Sequence, residues 1–195
     1  MSKGILLFGA MGVGDTTLGK AVAEKLGYPH IDLDDYHWRW DTEIPYTVFR
    51  SREERIESIM AAVSAQPHFV MSGSMWSIRK TFEPFFDLAV FLTAPAKLRA
   101  ERLCARSIAR WGERVLPGGD MYESSQIYRD YRACAEAYEQ DIRPQACRLQ
   151  HEQWAEELPC PVLRLNGARP IAENADLVVR RYLRLLATQA EQSPK

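Results

Sequence analysis

The sequence predicts a three-layer α/β fold built on a parallel sheet, and three observations predict it. Five short apolar runs recur along the 195 residues, helical patterns separate them, and the first and fourth runs are continuously apolar rather than alternating. Continuous apolarity suits strands buried on both faces. Strand–helix alternation leads to right-handed crossovers between parallel strands.

The elements follow in order. The run GILLFG, Gly4–Gly9, stops at a glycine loop, and a helical pattern extends from Thr16 to Leu26. The run PHIDLDD, Pro29–Asp35, ends in acids. The next stretch, Tyr36–Arg50 (YHWRWDTEIPYTVFR), is longer than a connector needs, and its aromatics and arginines mark it as part of a flap over a small-molecule acceptor. A helix is expected over Glu53–Val63, with Ser51 and Glu54 spaced as a capping box. Two further strands are HFVMSG, His68–Gly73, and DLAVFLTA, Asp87–Ala94. A helix over Ala96–Arg110 leads into Trp111–Met121, whose Pro-Gly-Gly run suits the edge of a lid spanning residues 105–125. Met121–Ile142 reads as one long helix, with Ile127, Tyr131, Cys134, Tyr138 and Ile142 at helical spacing and Asp120 and Glu123 as its cap. The run CPVLRLNG, Cys160–Gly167, is the fifth strand. Ile171–Leu186 closes the chain as a helix, with Pro170 near its first turn. One domain over residues 1–188 is expected, followed by a frayed tail at 189–195.

Composition narrows the partners. The net charge of −1 provides no global field for nucleic acid or an anionic membrane. No apolar run approaches the roughly 18 residues of a membrane span, and the first run is too short for a signal peptide. Cys104, Cys134, Cys147 and Cys160 show no close pairing, which suits a reducing cytoplasm, and the four histidines make no zinc-binding pattern. A monomer or homodimer acting on small molecules is expected.

The chemistry concentrates in LLFGAMGVGDTTLGK, Leu6–Lys20. Gly9, Gly12 and Gly14 let the backbone turn its amides inward, and the helix starting near Thr16 adds its positive end. Thr16 offers a hydroxyl to Mg²⁺ held between phosphates. Glycine spacing of this kind between a buried strand and a helix is a polyphosphate-binding signature. Where a phosphate-clamping lysine is usual, however, the chain has Asp15. A charge-assisted hydrogen bond contributes roughly 1.5–3 kcal/mol, so its loss matters. A like charge at about 4 Å in an effective dielectric near 20 costs about 4 kcal/mol, but aspartate is too short to reach the outer phosphates. The vacated volume suits water, a cation or an arginine from elsewhere. Asp15 itself suits a cap or ion pair at the helix start.

Arginine is the natural substitute for that lysine. Arg99, Arg102, Arg106 and Arg110 follow steps of three and four and share one helix face, and Glu101 is the only acid between Lys97 and Arg110. Guanidinium forks suit phosphates and stack on bases. Asp32 and Asp34, at the end of the second strand, are two carboxylates able to order Mg²⁺ and its waters and to accept a proton from a substrate hydroxyl. An acidic turn with a helix cap is the simpler alternative for the same residues.

The stretch GAMGVGDTTLGKAVAEKLGYPHIDLDD resembles the opening of the shikimate kinase and adenylate kinase group of small P-loop kinases: G-x-x-G-x-G-K-T-T, a leucine-glycine helix, then D-x-D. Over residues 5–35 the resemblance is close, with Asp15 at the lysine position; beyond that it is architectural, through SGS at Ser72–Ser74, LRAERLCAR before the lid, and LNGARP. The resemblance implies a P-loop fold with a five-stranded parallel sheet in the order 2-3-1-4-5, a helical lid, and Mg-ATP as donor. It implies nucleotide contacts from Gly9, Gly12, Val13, Gly14, Asp15, Thr16, Thr17, Arg102 and Arg169, and Mg²⁺ at Thr16 and Asp32. Asp34, Asp32, Arg102 and Arg106 would act in catalysis, and Asp34, Trp38, Arg50, Ser74 and Arg79 would meet the acceptor. The function expected is a small-molecule kinase moving the γ-phosphoryl group to a hydroxyl or phosphate acceptor. The alternative is a nucleotide-binding, regulatory protein with weak or no transfer.

Overall fold

The computed structural model describes residues 3–43, 48–124, 131–140 and 147–192. Five strands, β1 (Lys3–Gly9), β2 (His30–Asp32), β3 (His68–Ser72), β4 (Phe86–Thr93) and β5 (Val162–Asn166), form one sheet in the order β2-β3-β1-β4-β5, all neighbours parallel. This is the strand order expected from the sequence. The helices in chain order are α1 (Asp15–Leu26), α2 (Leu33–His37), α3 (Arg52–Ser64), α4 (Arg79–Phe82), α5 (Ala96–Trp111), α6 (Asp120–Ser124), α7 (Tyr131–Glu139), α8 (Arg148–Glu157) and α9 (Ile171–Gln192).

Period-two alternation along the central strands divides the core into two layers. From β1, Leu6 and Phe8 join Phe69, Met71, Phe91 and Trp154 on one face, against α3 and α8. Ile5 and Leu7 join Val70, Val90, Val178 and Tyr182 on the other, against α1 and α9. Phe8 stacks on Phe91 at 5.1 Å between ring centroids and leans on Trp154 at 4.6 Å. The Trp154 indole N–H is satisfied by Glu83 Oε1 at 3.0 Å. Both faces of β1 are therefore dry, and its carboxyl end is fixed where a ligand cleft opens in such a sheet.

Several expectations are corrected. The capping box forms as read, with Ser51 Oγ accepting from Glu54 N and Glu54 accepting from Ser51 N. Of the two acids, by contrast, only Asp32 lies on the strand, as the last residue of β2, and the helix-cap alternative is the one seen. Asp32 caps a helix, its Oδ1 accepting from Asp34 N at 3.1 Å, so Asp34 sits on the first turn of α2. Helix α8 was not anticipated. Its buried stripe is His151, Trp154 and Ala155, and a histidine in that stripe hides the apolar period. The long helix expected over Met121–Ile142 is described only as α6 and α7, and Ile127 and Ile142 lie outside the described residues. The expected cap residue Asp120 instead begins α6, and its carboxylate is held by Arg114 at 2.7 Å. Helix α9 runs past Leu186 into the stretch expected to fray. No helix among the described residues is long and apolar enough to cross a membrane.

Candidate active site

At the carboxyl ends of β1, β2 and β3 lies a cleft of about 330 Å³. Its floor is the glycine loop, and two positions there require glycine. A Cβ on Gly9 would stand 2.4 Å from Leu92 O. Gly12 has φ +82°, and a Cβ there would meet Arg99 O at 2.7 Å. Gly14, with φ +99°, is the N-cap of α1 and offers no side-chain cap. The loop thus reaches its neighbours backbone to backbone, and the Val13 N–H turns back onto Ala10 O at 3.0 Å.

Asp15 is the first residue of α1 and lines the cleft. Its carboxyl lies beside the Thr16 backbone N–H, which favours the ionised form. Among the described residues no ion pair forms at Asp15, and it stands in the first turn of α1, where a negative charge is favourable. Desolvation, then the charge of Asp34 and, less, that of Asp32, push its pKa up to about 7, against the pull of the Thr16 amide. Asp34 faces the same cleft. Desolvation by the cleft walls comes first and the Asp32 charge second in raising it to about 6, while the Arg106 guanidinium and the Trp38 indole N–H pull it down. Thr16 and Asp32 also line the cleft. Among the described residues no three His, Cys, Asp or Glu side chains gather as a metal cage. One hydroxyl and one carboxylate fit Mg²⁺, which keeps several waters and takes phosphate oxygens as its remaining ligands.

The four arginines of α5 share a face but not a fate. Arg99 is 1 % exposed and donates to Ala94 O, Met11 O, Ala135 O and Glu139 Oε1. Its guanidinium thereby ties the glycine loop to α7. Arg102 donates to Val13 O at 3.1 Å and Gly167 O at 3.0 Å. It braces the back of the loop and is not part of the cleft wall. Arg106 lines the cleft near Asp34. Arg110 stacks over Trp111 at 5.1 Å and Trp40 at 5.8 Å. The sequence pairing of Arg102 with Arg106 as cleft residues therefore separates into one strut and one cleft cation.

Among the expected acceptor residues, Trp38, Asp34 and Ser74 line the cleft. Trp38 is stacked on Phe49 at 3.9 Å. Arg50 is not in the wall, because its Nε donates to Trp38 O. Arg79 is not either: it lies 3.8 Å above the Trp76 ring and pairs with Glu83 and Glu157. Arg169 and Thr17 are exposed outside the cleft, and Val13 is packed in the core. Tyr46 lies outside the described residues. Four titratable residues are among the wall residues that escaped the sequence reading: His37, Arg55, Tyr138 and His151. Each comes from a different helix, and no local spacing could have joined them.

Three comparisons with known proteins agree with this geometry. YqaC of Bacillus subtilis (strain 168), itself uncharacterized, is 32% identical over 92% of this chain and 97% of its own. Shikimate kinase 2 of Yersinia enterocolitica is 32% identical over 53% of this chain and 64% of that enzyme. The structure of a shikimate kinase from Acinetobacter baumannii in complex with shikimate superposes with a TM-score of 0.54 over 94% of each chain at 16% identity, a likeness of fold. Residues 11–138, from the glycine loop through the arginine helix into α7, match the shikimate kinase family, and the chain belongs to that family of small-molecule kinases.

Proposed function

We propose that the protein transfers the γ-phosphoryl group of Mg-ATP to a hydroxyl of a small acceptor bound between α2 and the turn after β3. The observation that carries the reading is the single cleft that joins the glycine loop, Thr16 and Asp32 to Asp34 and Arg106. The loop amides would hold the outer phosphates. Thr16 and Asp32 would hold Mg²⁺, which supplies charge neutralisation at the phosphate oxygens. Asp34, held near 6, would receive the acceptor proton, and Arg106 would steady the transferring group. Phosphoryl transfer asks mainly for positioning and electrostatics, and this cleft offers both without a lysine. On the acceptor side, the stacked Trp38–Phe49 pair forms an apolar wall, and Arg55 provides a cation within reach.

A second reading, a nucleotide-binding protein with little transfer, is favoured by one observation: the Asp15 carboxyl stands in the cleft beside Thr16, where a phosphate would bind. The two separate in one experiment. ADP release and ³¹P spectra are followed with Mg-ATP and a panel of hydroxy acids and polyols that includes shikimate. Acceptor-dependent ADP release is expected. Tight Mg-ADP binding with no release over any acceptor would establish the second reading, and absence of nucleotide binding at millimolar concentration would overturn both.

A further inference from the structure

Two buried histidines converge on one serine. Gly73, at φ +115°, turns the chain after β3, and a Cβ there would press Leu33 Cβ at 2.9 Å. Beyond it, His37 Nε2 lies 2.9 Å from Ser74 O. A carbonyl only accepts, so Nε2 carries the proton and pins the serine backbone. His151 Nε2 lies 3.1 Å from Ser74 Oγ, and its Nδ1 lies 3.0 Å from the Tyr138 hydroxyl. His37, Tyr138 and His151 are 7%, 6% and 1% exposed. Tyr138 is itself held in place, with the Arg99 guanidinium 5.0 Å from its ring centroid.

The proton positions follow from satisfaction. A neutral imidazole has one donor and one acceptor. If His151 donated from Nδ1 to Tyr138, the phenol proton would be buried with no acceptor among the described residues, the costly arrangement. If Tyr138 donates to Nδ1, then Nε2–H donates to Ser74 Oγ and every buried donor is used. One proton then remains, on Ser74 Oγ, and Ser74 is half-buried in the cleft wall. We propose that Ser74 is an oriented hydrogen-bond donor to an oxygen of the phosphoryl acceptor, and that His151 and Tyr138 are positioning residues that aim it. This rests on the kinase reading above and adds a point of specificity to it. The acceptor presents a proton-donating hydroxyl toward Asp34 and an electron-donating oxygen toward Ser74.

The same arrangement is a poor hydrolytic triad. Burial holds His151 down at about 4, too weak a base near neutrality, and its Nε2 already carries the proton a nucleophilic serine would have to give up.

The test uses the full chain. Ring ¹⁵N resonances of the unliganded protein report which nitrogen of His151 is protonated. Nε2 is expected, and a protonated Nδ1 overturns the proposal whatever the enzyme does. Steady-state kinetics with Mg-ATP and the best acceptor of a shikimate, quinate, gluconate and glycerate panel then compare four variants. Ser74→Ala and His151→Phe should each raise the acceptor KM about tenfold, with kcat changed less and the KM for ATP unmoved. His151→Gln, whose amide nitrogen replaces Nε2–H, should restore most of the affinity. In the Ser74→Ala background His151→Phe should add nothing, because it acts through the serine. Additive losses, or equal rises in both KM values, would reduce His151 to a packing residue and overturn the proposal. A wild-type protein silent with every acceptor strikes the kinase reading instead, and the His151 resonances still decide where the serine proton lies.

Discussion

The loop after β1 and the turn after β3 end adjacent parallel strands and face one cleft, yet they are built on different principles. The β1 loop is a backbone device. Its glycines accept positive φ and close approach, so its shape is set by the main chain. The β3 turn is a side-chain device. One glycine allows the bend, and then Ser74 is held by His37 from α2 and His151 from α8. A backbone device tolerates an unusual side chain such as Asp15, because its donors belong to the main chain. A side-chain device has no such latitude, because each proton position depends on the next partner in line.

The sharpest way to break the comparison is at the residue that joins the two regions. Arg99→Ala removes a buried guanidinium that links Met11 O in the loop to α7. It leaves Glu139 without its 2.6 Å partner. A loss of about 3–5 kcal/mol is expected, read by chemical denaturation, together with weakened nucleotide and acceptor binding. Loss of nucleotide binding alone, at unchanged stability, would show that the loop and α7 are not mechanically joined.

Next in size is Asp34→Asn. Turnover should fall about 10²-fold or more, while Mg-ADP affinity changes far less, through the lost Asp34 charge beside Asp15. An equal fall in both would place Asp34 in nucleotide binding.

A smaller effect is expected from Asp15→Lys, which reverses a charge in the cleft wall. Mg-ADP affinity should rise about tenfold by calorimetry, and a decrease would make the acid a working part of the site. The pH dependence sharpens the same point. With its pKa raised to about 7, Asp15 is neutral at lower pH and repels phosphate at higher pH. Wild-type affinity should therefore fall as pH rises through that value, and Asp15→Asn should flatten the profile.

The smallest effect is on the unliganded protein. Asp15 and Asp34 have folded pKa values of about 7 and about 6, both above the ordinary 3.8. The folded state binds their protons more tightly, so their contribution to stability is complete below that ordinary value. It is lost as pH rises through the two folded values. Denaturation midpoints should decline over that window and decline less in an Asp15→Asn, Asp34→Asn double variant. A midpoint that rises there would contradict the crowding of these carboxyls.

Much of the molecule was legible in the chain because its causes are local. Continuous apolar runs follow from strands buried on both faces, and β1 and β4 are such strands. The glycine loop was legible because its φ values and close approaches concern neighbouring residues, and the Ser51–Glu54 box for the same reason. The sequence also placed Asp32, Asp34 and Arg106 in one site. What only the tertiary structure decided is which member of a repeating pattern does what. Arg102 and Arg106 are equivalent on a helical wheel, but the carbonyls of Val13 and Gly167 lie beside one and the cleft beside the other. His151 is one of four scattered histidines in the sequence until packing places it between Ser74 and Tyr138. The physical reason is common to both. Local periodicity fixes the direction a side chain takes from its own element, whereas its role depends on atoms brought to it by distant segments, and those distances exist only after the layers have packed.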